Sequence, residues 1–190
     1  MTSSILTSPF LSLNTIDTIL KSPNPIPAEQ KIQLLEAKIH LLVSTLPSFI
    51  TKASDKQPDD IVTERKSHDE RTGKVIAIDE IRIELGQTYL EQKIPDYIKA
   101  EVEFGIVDTD CKNVLKRMKR KKDIHMTSQD ENLINPDLTN KNIWREIDET
   151  WIMRIKTLRT SALEGMIGVE EGLGRIARAE RWKKAIAELR

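Results

Sequence analysis

The sequence predicts a mainly α-helical protein, or an α+β protein with a small central antiparallel sheet, whose helices are joined by charged flexible linkers. Three observations lead there. Large apolar residues recur at intervals of three and four over 28–46 and again over 144–162, the period of a helix that buries one face. Between 74 and 107 the apolar period shortens toward two, as in a strand with one buried face. The stretch 51–73 holds almost no large apolar side chain, and 123–141 is rich in turn formers and contains Pro136. The expected organisation is an N-terminal helical segment (1–50), a flexible charged linker (51–73), a small sheet with a basic helix (74–122), a second linker (123–141) and C-terminal helices (142–190).

Each element has its own local reason. Leu13, Ile16 and Leu20 fall at helical spacing, and Ser12 stands where an N-cap belongs, so a short helix is expected there. The run PNPIP from Pro23 to Pro27 breaks the chain and supplies Pro27 as a favourable first helical residue. Ile32, Leu35, Ile39, Leu42 and Leu46 then repeat at 3, 4, 3 and 4, which predicts a helix over about 28–46. The following segment, TKASDKQPDDIVTERKSHDERTG, buries too little to offset its ordering entropy and reads as mobile linker.

In YIKAEVEFGIV, Ile98, Ala100, Val102, Phe104 and Ile106 alternate with Lys99, Glu101 and Glu103, the clearest strand pattern in the chain. For 74–92 two readings stay open: a strand from KVIAIDEIRIELG, or a helix with Ile81, Leu85, Tyr89 and Gln92 on one stripe. Helical spacing returns at Val114, Leu115 and Met118. It continues at Trp144, Ile147, Trp151, Ile155, Leu158 and Ala162, with Gly165 and Gly168 expected to end or bend that helix. A last helix from about Leu173 would carry Ile176, Ala179, Trp182, Ile186 and Leu189 on one side and Arg175, Arg178 and Arg181 on another.

Composition narrows the class of protein. Of 190 residues 32% are charged, 38% hydrophobic and 4% aromatic, which favours exposed helix over a compact enzyme core. The single cysteine, Cys111, excludes an intramolecular disulfide and a cysteine-rich zinc site, and fits a reducing compartment. The amino terminus lacks the basic start and apolar run of a secretory signal, and no segment has the ~20 apolar residues that span a bilayer. The expected location is intracellular, nucleus or cytoplasm in a eukaryote.

Net charge is zero, but it is segregated. Residues 51–110 carry 9 Lys+Arg against 15 Asp+Glu, whereas 111–140 carry 7 against 4 and 141–190 carry 11 against 8. Within the basic part, KRMKRKK packs Lys116, Arg117, Lys119, Arg120, Lys121 and Lys122 into seven residues. That density suits a nucleic acid or an import receptor, because neighbouring cations sum into a local potential and release counterions from a polyanion. Arg175, Arg178 and Arg181 on the last helix form a second basic element, though such a helix more often buries its Trp182 and Ile186 and leaves its arginines to water. Ile32, Leu35, Ile39, Leu42, Trp144, Trp151 and Leu158 are the candidate partner interface, as the apolar stripes of the two strongest helices.

One catalytic pattern stands out. Pro95-Asp96 followed by Asp110-x-Lys112 has the outline of the PD...(D/E)xK nuclease arrangement, in which carboxylates hold Mg²⁺ and the lysine orients water. It requires Asp110 and Lys112 on a strand beside Asp96. His40, His68 and His125 are scattered, and GMIGVEEGLGR has no strand leading into it, so neither a metal site nor a nucleotide loop is expected. The sequence therefore reads as a non-enzymatic interaction protein without cofactor, a subunit or adaptor that binds other protein subunits or associates with itself through its helices. Direct binding of DNA or RNA is the alternative, and the Mg-dependent nuclease the third reading.

Overall fold

The computed structural model describes the backbone of residues 11–46, 58–127 and 138–189, and the side chains of 11–46, 70–119 and 149–189. Among the described residues the chain is all-α, with six helices: α1 (Leu13–Leu20), α2 (Ala28–Ser44), α3 (Pro58–Leu90), α4 (Tyr97–Thr127), α5 (Leu138–Gly172) and α6 (Ile176–Ala187). The chain divides into two compact units, Met1–Glu103 and Phe104–Arg190, with α4 running through the boundary.

The first unit is built on α2. Ser12 caps α1, its Oγ accepting the Thr15 N–H at 3.2 Å. Ile16 is fully buried against Leu34 and Ala37 of α2, with Leu11, Ile19, Leu20 and Leu41 around them. Burying Leu34 and Leu35 contributes about 1.5–3 kcal/mol each. Polar links close the rims of this packing: Lys38 pairs with Asp17 at 2.6 Å, Lys31 with Glu84 at 3.0 Å, and the Tyr89 hydroxyl donates to Glu36 Oε1 at 2.6 Å. The last two join α2 to α3. Arg82 on α3 holds Glu103 on the first turns of α4 at 2.6 Å.

In the second unit, Phe104, Val107, Cys111 and Val114 of α4 are buried, as are Ile155, Leu158, Ala162, Leu163, Met166 and Val169 of α5. Gly165 on α5 lies directly over Phe104: a Cβ at that position would land on the aromatic ring. This approach explains a glycine in a helix interior, where it costs about 1 kcal/mol relative to Ala. Beside it Arg159 Nε donates to Asp108 Oδ1 at 2.8 Å, joining α5 to α4. The helix α6 packs on α5 with Ala179 and Ile186 buried.

The mainly α-helical alternative holds, and with it the helical reading of 74–92, while three expectations are corrected: the 97–107 strand, the extent of the linkers and the glycine break in the penultimate helix. No sheet is present among the described residues: 74–90 continues α3, and 97–107, the clearest strand pattern, is the start of α4. Along α4 the buried positions are Ala100, Phe104, Val107, Cys111 and Val114, spaced 4, 3, 4 and 3, whereas Ile98 and Val102 lie outside. The alternation of apolar and charged residues there is a by-product of a helix whose outer face also carries two apolar side chains. In α3, Ile76, Ile78, Ile81, Ile83 and Leu85 are all buried, so the helix is covered over most of its circumference, and a run buried on every side has no period to read.

Polar composition also misled at the linkers. Residues 58–73 form the beginning of α3, while 123–127 and 138–141 belong to α4 and α5; the remaining linker positions, 51–57 and 128–137, lie outside the described residues. Finally, α5 passes through Gly165 and Gly168 unbroken to Gly172. It stops where Gly174 adopts φ +71, with Arg175 N–H bonded to Glu170 O at 2.7 Å and Gly174 N–H to Glu171 O at 3.0 Å, the Schellman pattern.

Candidate interaction surfaces

The six-residue connection between α3 and α4 is rigidly closed. Asp96 N–H donates to Tyr89 O at 3.1 Å, and Asp96 Oδ1 accepts the Lys99 N–H at 3.1 Å, which makes Asp96 the N-cap of α4. Lys99 Nζ lies 5.3 Å from the Tyr89 ring centroid, a cation–π distance. Tyr89 itself is buried; burial first, then its hydrogen bond to Glu36 and the charges of Glu36, Glu103 and Asp96, push its hydroxyl well above the usual phenolic range.

Out of this framework project three large aliphatic side chains. Ile94 is 82% exposed, Ile98 74% and Val102 53%. Ile98 and Val102 stand four apart and share a face of α4, and Ile94 precedes them from the connection. Val43, Met153, Leu173 and Ile176 are also exposed, but the first two stand singly, and single exposed apolar residues are ordinary on protein surfaces. Sequence reasoning counted Ile98 and Val102 among the inward residues of a strand. The 4-3-4-3 spacing from Ala100 to Val114 is the signal that places them outward.

The residues expected to meet a partner sit elsewhere. Ile32, Leu35, Ile39 and Leu158 are buried within the chain's own core, and Leu42 and Trp151 are half-buried. The Trp144 side chain lies outside the described residues. Helical stripes of this kind satisfy themselves inside each unit, which leaves surface to a different set of apolar residues.

The basic residues divide into two groups. Lys116, Arg117 and Lys119 are exposed on α4, which continues to Thr127, so the KRMKRKK run lies within the helix. The side chains of Arg120, Lys121 and Lys122 lie outside the described residues. At the α5–α6 corner, by contrast, cations turn inward. Glu170 is fully buried, with Arg178 Nε 3.0 Å from one carboxylate oxygen and Arg175 Nη1 3.8 Å from the other. Neither oxygen receives a well-aligned hydrogen bond, so attraction between charges carries the contact. Lys183 reaches both Glu180 and Glu171, at 3.0 and 3.1 Å, and these hydrogen bonds, to Glu180 and then Glu171, raise its ammonium above the usual lysine range. Arg181 is exposed.

The nuclease-like residues have structural posts. Asp96 caps α4, Lys112 pairs with Asp108 at 2.5 Å, and Asp110 lies on the same helix about four turns beyond the cap. The strand that the arrangement needs is replaced by helix. Cys111 is buried and His40 is exposed. Among the described residues no three His, Cys, Asp or Glu side chains gather as a metal-ligand group, and no helix is long and apolar enough to cross a membrane. Comparison with protein-family models, curated proteins and solved structures finds no match to this chain.

Proposed function

We propose that this chain is a non-enzymatic interaction protein, a subunit or adaptor of an intracellular multiprotein assembly, and that it binds a partner protein through Ile94, Ile98 and Val102. The supporting observation is the exposure of these three aliphatic side chains on a corner that Asp96, Tyr89 and Arg82 hold rigid. A preorganised apolar ridge loses little conformational entropy on docking, and covering it removes apolar surface from water. Affinity purification of the full chain from its native cell, with and without nuclease, tests the reading. Stoichiometric protein companions that survive nuclease are expected; a chain that brings down none contradicts it.

A second reading is direct binding to DNA or RNA, favoured by the exposed Lys116, Arg117 and Lys119 on one helix. Arg175 and Arg178 support it less, because both engage Glu170. Neutralising KRMKRKK to glutamine would flatten the dependence of polynucleotide affinity on salt if this reading holds, and would leave it unchanged otherwise.

A further inference from the structure

Five threonine hydroxyls on the described helices, those of Thr18, Thr88, Thr109, Thr157 and Thr160, are tied back to the backbone, each donating to the carbonyl four residues earlier. Ser22 differs. It lies in the α1–α2 connection, its own N–H bonded to Ile19 O at 3.1 Å, and Pro23 and Pro25 follow before Pro27 stands as the N-cap of α2. Among the described residues its Oγ accepts a long 3.4 Å bond from the Asn24 N–H. Pro23, Asn24 and Pro25 are exposed. Ser22 also lines an open cleft of about 370 Å³ that contains Lys31, Glu84, Thr88 and Glu91.

We propose that Ser22 is a phosphorylation site for a proline-directed serine/threonine kinase, and that the phosphate takes Lys31 from Glu84. Such a kinase takes a serine followed by a residue without an amide N–H, and Ser22-Pro23 supplies that pair on a connection whose next residues are exposed. The γ-phosphoryl group of a nucleoside triphosphate passes to Ser22 Oγ: the new P–O bond forms as the bond from Pγ to the β–γ bridging oxygen breaks, the nucleoside diphosphate leaves, and the hydroxyl proton goes to the kinase base. The modified side chain brings close to two negative charges into the cleft. Lys31 is then the cation on a flexible stem within the lining, and a phosphate outcompetes a single carboxylate for it. Glu84, whose side chain is 47% exposed, turns to solvent. This inference is independent of the partner-binding ridge.

The test treats the full chain with a proline-directed kinase and Mg-ATP and maps the product by peptide mass spectrometry, beside protein isolated from its own cells. Phosphate on Ser22 in both samples is expected, absent from Ser22→Ala and largely lost from Pro23→Ala; Ser8, the other serine before a proline, serves as the comparison. Modification confined to Ser8, or indifferent to Pro23, overturns the site. A ³¹P titration tests the pairing: the phosphate's second pKa, ~6 when unperturbed, should fall in the folded chain relative to the denatured one and recover in Lys31→Gln. Equal titration in wild type and Lys31→Gln overturns the role of Lys31.

Discussion

The α3–α4 and α5–α6 corners solve the same problem, reversing a helix, with opposite chemistry. At the first, six residues are closed by the Asp96 cap and the Tyr89 carbonyl, and aliphatic side chains are left outside. At the second, a three-residue turn around Gly174 draws a carboxylate fully inside and turns two arginines back onto it. Charge-dense sequence is therefore a poor guide to charged surface, and an apolar residue in a helical pattern a poor guide to core. What each corner exposes follows from how its turn is closed.

Breaking the second corner should produce the largest effect. Arg178→Ala leaves Glu170 buried with only the longer contact to Arg175, and a stability loss of about 2 kcal/mol is expected, reduced from the cost of a wholly buried pair because Arg178 is 41% exposed. Glu170→Met should be neutral or stabilising, since it removes the buried charge itself. Urea unfolding of both variants checks the sign, and equal losses would show that packing and not charge governs this turn.

Gly174→Ala should cost about 1 kcal/mol, because φ +71 places a Cβ against the next carbonyl. The corresponding probe of the first corner is Tyr89→Phe, which leaves Glu36 without its phenolic donor and should also cost about 1 kcal/mol. This variant sharpens the contrast through pH. The folded chain holds the Tyr89 proton more tightly than the unfolded one, so the contribution is complete below the ordinary phenolic pKa of ~10 and is lost as pH rises beyond it. Tyr89→Phe should lack that part of the alkaline destabilisation, as thermal melts between neutral and strongly alkaline pH would register.

Much of the helical framework was legible in the sequence: Ser12 as cap, the 28–46 repeat and the final helix all announce themselves by spacing. Helix α3 was only half legible, because burial on nearly all sides erases periodicity. Helix α4 was misread because Ile98 and Val102 face outward beside Lys99 and Glu101, so that a helix with an apolar outer ridge imitates an alternating strand. The same two residues belong, with Ile94, to the candidate site, so one local ambiguity hid both the helix and its surface. Glu170 was visible only as a charge in a glycine-rich stretch; that it meets Arg175 and Arg178 depends on the tight turn at Gly174.

The ridge itself should matter least to stability. Ile98→Asp combined with Val102→Asp changes exposed positions, and an unfolding free energy within about 0.5 kcal/mol of wild type is expected for each. The decisive measurement is quantitative affinity purification of wild type and this double variant from the native cell after nuclease treatment, with melting curves of both. The account predicts superimposable melts and loss of the protein companions from the variant. A variant that melts like wild type and keeps every companion would contradict it.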